Sequence, residues 1–194
     1  MIESNAALIS AFPSVVRADA SAAVAALPDS ARPFQIFSVR VSGENVFIPR
    51  RIYHGPLDVS AGFRLRFTNT LQQEMIDCIF SRHADGFIRE KHLKRIVQSR
   101  YVWIPPFVIQ LAGEYVIEIL RAIEQALPHL DSAVYGDFVR SNPEFIQKTK
   151  QRIASYWDCY HRSVPREQYP GFRVQAFLEE LEQKGPAFAG PAKS

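Results

Sequence analysis

The stretch Trp103–Leu120, WIPPFVIQLAGEYVIEIL, is the most apolar long run in the chain, and any fold must find neighbours for it on several sides. Pro105 and Pro106 stand at its entrance, where a missing amide and a fixed φ suit the approach to a helix rather than its middle. Beyond them, Val108, Ile109, Leu111, Ala112, Tyr115, Val116, Ile119 and Leu120 cover more than half of a helical wheel. Gln110, Glu114, Glu118, Arg121 and Gln125 form the remaining polar stripe. The pattern predicts one central helix over Pro106–Gln125, closed by Pro128, with its stripe facing water or a polar groove.

The segments around it are shorter. Asn5–Phe12 and the alanine-rich Ala18–Leu27 read as helices stopped by Pro13 and Pro28, with Asp19 as a cap. Alanine supplies helix propensity but little area to bury, so residues 1–33 are expected to form a helical lead-in or an arm. FQIFSVRV and NVFIPRRIY read as strands flanking a turn. A Gly43-Glu44 loop of type II′ would set Val41 opposite Val46 and Val39 opposite Ile48. The alternation of Phe63, Leu65 and Phe67 with Arg64 and Arg66 predicts a third antiparallel strand after the loop His54–Gly62. Helical periodicity resumes near Asn69 or Thr70, with Thr70 and Gln73 at capping-box spacing. Asp131 is expected to cap a short helix, and Asn142-Pro143 to open a longer one running to about Arg162. A last helix fits Val174–Gln183.

The fold class expected is α+β: a mostly helical single domain over 34–183 with a small three-stranded antiparallel sheet, followed by a flexible tail over 184–194. A chain of 194 residues, 47% hydrophobic, buries a core without staples. Cys78 and Cys159 are expected as small buried hydrophobes rather than a disulfide, since they have neither metal-ligand spacing nor a secretory context. Glu114 and Glu118 interrupt the best apolar run, so no transmembrane segment is expected. The opening MIESNAALISAF has an acid and no basic n-region, which makes a cytoplasmic location the expectation.

The formal charge of +3 is unevenly placed. Residues 82–100 hold six basic side chains against two acidic ones, whereas the flanking stretches nearly balance, seven against seven before and ten against eleven after. Arg82, Arg89, Lys91, Lys94 and Arg95 are therefore the candidate phosphate contacts, although an ordinary solvated helix face explains Lys91, Lys94 and Arg95 equally. Arg50, Arg51, Arg64 and Arg66 form a second basic patch on the expected strands.

Chemistry has fewer candidates. His83 and Asp85, followed by Glu90 and His92, offer an imidazole and carboxylates near one turn, where a cap or turn network is the commoner use. Glu114 and Glu118 stand one helical turn apart, the placement by which a helix presents paired carboxylates to a metal. A solvated stripe accounts for them as well, with Glu118 pairing Arg121; were the stripe buried, two adjacent carboxylates would require a cation or a raised pKa. Phosphate loops, dinucleotide fingerprints and nucleophile elbows are absent from the sequence, and no cofactor is implied. The leading expectation is a non-enzymatic interaction or structural protein, working through self-association or a protein partner. A nucleic-acid-binding module using residues 82–100 is the first alternative. A metal-dependent enzyme using His83, Asp85, Glu114 and Glu118 is the second.

Overall fold

The computed structural model describes residues 4–28, 35–53 and 65–184, most of them in helices joined by short turns. In order, the elements are α1 (Ser4–Ile9), α2 (Arg17–Ala25), β1 (Ile36–Val41), β2 (Glu44–Pro49), α3 (Thr70–Phe80) and α4 (Gly86–Ile96). They continue with α5 (Ile104–Ala112), α6 (Ile117–Ala126), α7 (Ser132–Ser141), α8 (Pro143–Tyr160) and α9 (Pro170–Gln183).

Among the described residues the sheet has two strands, not three. Residues 62–64 of the expected third strand, and the loop before them, lie outside the described residues. Leu65–Phe67 are not extended: the amide and hydroxyl of Thr68 both donate to the Leu65 carbonyl, at 3.3 and 2.7 Å, and close a turn. A short polar side chain bonding the backbone three residues back competes with ladder formation, and here it wins. Phe67 is 74% exposed while Leu65 packs half-buried against the core, so these two residues of the alternation do not share a buried face.

The hairpin itself forms in a different register from the one expected. Ser42 and Gly43 are the loop, with φ of 50° and 83°, and Val41 pairs with Glu44, Val39 with Val46 and Phe37 with Ile48. Two consecutive left-handed residues make the type I′ geometry, whose twist matches that of the strands. The shift from the expected pairing is two residues, so side-chain parity survives, and Val39, Val41, Val46 and Ile48 all remain buried. Glu44 becomes a strand residue, and its carboxylate accepts from the Ser14 amide at 3.0 Å and the Ser14 hydroxyl at 2.8 Å.

The expected central helix is two helices. All nine residues of α5 are buried. The helix stops at Gly113, where an added Cβ would stand 3.3 Å from the Arg152 side chain of α8, and α6 starts four residues later at Ile117. The polar stripe is therefore not continuous: Gln110 and Glu114 are buried, whereas Glu118, Arg121 and Gln125 are exposed. Among the described residues no ion pair joins Glu118 to Arg121.

One hydrophobic core runs through the described chain from Leu8 to Leu181. Leu8, Ala11, Phe12, Ala20 and Ala23 of the N-terminal segment belong to it. Phe12 stacks on Phe107 of α5 with ring centroids 5.7 Å apart and meets Trp103 edge-on at 6.5 Å. The small alanines let α2 lie close against α3, which it contacts. Asp19 lies in the first turn of α2 and accepts from the Gln72 amide group at 2.9 Å rather than capping its own helix. On the other side, α9 packs across α6, α7 and α8. Cys78 is buried, and burial pushes its thiol pKa well up; Cys159 is exposed, against the expectation for it, and both are free. No helix among the described residues is long and apolar enough to cross a membrane.

Candidate functional site: a buried arginine cluster and a basic cleft

The end of α5 organises two polar regions. The first surrounds Glu114, which is 4% exposed. Three guanidinium groups converge on its carboxylate: Arg51 Nη2 at 2.6 Å and Arg82 Nη2 at 3.6 Å from Oε1, and Arg89 Nε at 2.8 Å from Oε2. All three stand within ion-pair distance, so the buried carboxylate is held by opposite charge on three sides. Arg82 also donates to the Pro49 and Arg50 carbonyls, at 3.3 and 2.8 Å, and Arg89 Nη1 donates to the His83 and Ala84 carbonyls, at 2.9 and 2.7 Å. The two arginines thereby fix the strand-like contact of Ile52 with His83, where Ile52 N–H donates to the Arg82 carbonyl and Ala84 N–H to that of Ile52. Arg82 is fully buried, and burial pushes its pKa down to about 9, still protonated at neutral pH.

This geometry answers what the carboxylate stripe left open. The helix break separates Glu114 from Glu118, and three arginines supply positive charge to the buried Glu114 carboxylate. His83 and Asp85 form a turn network: His83 Nδ1 accepts from the Asp85 amide at 3.0 Å, and Asp85 caps α4 by accepting from Phe87 N–H at 2.8 Å. His92 does not join them. Its Nδ1 lies 2.6 Å from buried Asp77, which Arg95 approaches at 3.1 Å, and its ring stacks on Phe80 at 4.9 Å. Among the described residues no three His, Cys, Asp or Glu side chains converge as a metal ion would need.

The basic segment 82–100 is consumed largely by these contacts. Arg82 and Arg89 face inward, Arg95 meets Asp77, and Lys94 pairs with Glu90 at 2.6 Å one turn earlier. Lys91 is exposed. The local excess of charge in sequence is thus partly compensated in the fold, because the carboxylates Asp77 and Glu114 come from other segments, while Lys91, Lys94, Arg95 and Arg100 stay on the surface. Of the second patch, Arg51 belongs to the Glu114 cluster, Arg66 is exposed in the turn before α3, and Arg64 lies outside the described residues.

The second region was missed at the sequence level. A cleft of about 650 Å³ lies between the hairpin and the start of α8. Arg40 and Arg50 line it from the hairpin, and Lys148 and Arg152, one turn apart on α8, from the other side. Among the described residues none of these four cations has a carboxylate partner; Arg50 lies over the Phe37 ring at 5.8 Å. One carboxylate, the exposed Glu144, also lines the cleft. Gln110 of α5 reaches it too, 7% exposed and with no hydrogen-bond partner among the described residues.

The start of α8 is itself unusual. Asn142 precedes Pro143 as the sequence predicts, but its side chain does not cap the helix. Instead Asn142 Oδ1 accepts from Arg40 N–H at 2.7 Å, and Nδ2 donates to the Arg40 and Phe138 carbonyls, each at 2.8 Å. The first α8 amide with an acceptor is Ile146, bonded to the Asn142 carbonyl. The Glu144 and Phe145 amides are left as donors at the positive end of an 18-residue helix. Four unpaired cations, a helix start and a buried amide side chain facing one cleft make an environment suited to an anion. The sequence offers Arg50 as part of the second basic patch and Asn142-Pro143 as a helix start; nothing in it joins them, because the hairpin side of the cleft comes from residues about a hundred positions earlier than α8.

No family model matches this chain, and no curated protein or solved structure matches it.

Proposed function

We propose that this protein is a non-enzymatic interaction protein whose working surface is the basic cleft, and that its ligand there is anionic. The observation that carries this reading is the absence, among the described residues, of carboxylate partners for Arg40, Arg50, Lys148 and Arg152, beside the unpartnered Gln110. The buried carboxylates, by contrast, have their cations: Glu114 collects arginines, and Asp77 collects His92 and Arg95. Cations left unmatched in a concave, ligand-sized space favour a partner that brings the opposite charge.

The test is binding of a panel of anions (inorganic pyrophosphate, poly-glutamate and a single-stranded oligonucleotide) to the full chain at low and high salt. At least one probe binds, its affinity falls with salt, and the Lys148→Glu/Arg152→Glu double variant weakens it by roughly tenfold or more without changing Tm. Absence of binding by every probe at low salt overturns the reading, as does binding that the double variant leaves intact.

A further inference from the structure

The cleft has a feature that a simple anion site does not need: an open strand edge. In the hairpin register Phe37, Val39 and Val41 pair with Ile48, Val46 and Glu44, and Arg50 N–H donates to the Gln35 carbonyl at 2.7 Å. Odd-numbered residues of β1 therefore turn their backbone groups toward β2. Even-numbered ones turn theirs away, as the outer edge of an antiparallel ladder requires. Both neighbours confirm the phase: Phe47 N–H, opposite Ser38, points outward to the Ser10 carbonyl at 2.9 Å, and Arg40 N–H and C=O point outward to Asn142.

The Asn142 side-chain amide accepts from Arg40 N–H and donates to Arg40 C=O, as one residue of an antiparallel neighbouring strand does. It occupies only that step. The next outward steps along β1 are Ser38 and Ile36, and among the described residues neither has a hydrogen-bond partner on its outer edge. Ser38 lines the cleft and is exposed, so the unpaired edge and the unpaired cations share one surface.

We infer that the ligand is an extended, carboxylate-rich polypeptide segment that adds to the outer edge of β1 as a third strand, in line with the Asn142 amide. This rests on the anionic-ligand reading of the cleft. An added strand pairs its own N–H and C=O groups with those of Ser38 and Ile36, while carboxylates at alternate positions face the cleft cations. The two needs select one chemistry. A phosphodiester backbone offers acceptors only and leaves the Ser38 and Ile36 carbonyls without donors. A second copy of β1, IFSVRV, brings a further arginine and no carboxylate. An acidic strand satisfies both the edge and the charge.

The test uses the full chain and a fluorescein-labelled peptide alternating glutamate and threonine, in three forms: unmodified, and N-methylated at every second residue in either phase. N-methylation removes donors without touching charge. We expect the unmodified peptide to bind, one methylated phase to weaken binding by roughly tenfold or more, and the other to stay within about twofold. Amide exchange slows at Ile36 and Ser38 when the peptide is bound, and the Lys148→Glu/Arg152→Glu variant loses affinity. Equal effects of the two phases, or no protection at Ile36 and Ser38, overturn strand addition. Binding of pyrophosphate or oligonucleotide without binding of the peptide overturns it too, while leaving the anionic cleft standing; failure of every anion removes both. Protection of the same two amides by concentration-dependent dimerisation without peptide assigns the edge to a second copy and overturns the inference.

Discussion

Replacing Glu114 by glutamine removes one negative charge from beneath three arginines and keeps the side-chain shape. The cost follows from which partners are exposed. Arg51 is 31% exposed, so water screens most of what it loses, a contribution of about 0–1 kcal/mol. Arg82 and Arg89 are different: their side chains are 0% and 3% exposed, and without Glu114 two buried cations face only backbone carbonyls. Removing one member of a buried pair typically costs about 3–5 kcal/mol, and glutamine, which retains an acceptor, belongs at the lower end. In a domain of this size each kcal/mol moves Tm by about 2–4 °C, so Glu114→Gln lowers Tm by about 6–12 °C. The assay is thermal unfolding by circular dichroism at neutral pH, in low salt and in 1 M NaCl. The loss persists in high salt because the pair is shielded from counterions, whereas Glu90→Gln, which breaks only the exposed contact with Lys94, barely changes Tm. Arg89→Met combined with Glu114→Gln costs less than the sum of the two single changes, by roughly 1–3 kcal/mol. A fall in Tm under about 2 °C for Glu114→Gln, or strict additivity in that cycle, refutes the account of Glu114 as the counter-ion of this cluster.

Two further changes probe other joints. Hydrogen bonds from Ser14 lower the Glu44 pKa below its ordinary value of 4.5, so its stabilising effect is complete at neutral pH and is lost as pH falls below 4.5 through the folded-state value. Glu44→Gln accordingly shows a shallower fall in Tm between neutral pH and pH 3 than the unmodified chain, and an unchanged slope would show that the Ser14 contact contributes nothing. At Gly171 an added Cβ would stand 2.5 Å from the Tyr169 ring and 2.9 Å from Ile153. Gly171→Ala is expected to destabilise by about 1–3 kcal/mol in urea unfolding, the usual cost of overpacking, despite alanine's better helix propensity.

What the sequence made legible was local. Asp131 caps α7 by accepting from Ala133 and Val134, as the pattern predicts. Asn69 and Gln72 close a capping box one residue before the expected one, because Asn69 competes with Thr70 for the same role. Asn142-Pro143 starts α8 at the predicted position, yet the asparagine side chain goes to Arg40, 102 positions away, which no local rule anticipates. The Glu114 cluster is of the same kind. Its arginines come from just past β2, the turn after α3 and the first turn of α4, so nothing in the spacing of 51, 82, 89 and 114 marks them as partners. The type I′ turn was missed because Ser42 takes a left-handed φ for which glycine and asparagine are the usual signals.

The break after Ala112 connects these findings. An unbroken helix would have carried Gln110, Glu114 and Glu118 along one stripe, and a single face would have met either water or a partner. Because the helix stops at Gly113, where α8 approaches too closely for a larger side chain to fit without displacing Arg152, the stripe divides. Gln110 stays on α5 and faces the cleft; Glu114 swings to the arginines that hold the end of β2 against the start of α4; Glu118 returns to solvent on α6. The same close approach sets Arg152 beside the cleft as one of its cations. A bulkier residue at 113 would therefore disturb the cleft through Arg152 and the buried cluster through Glu114 together.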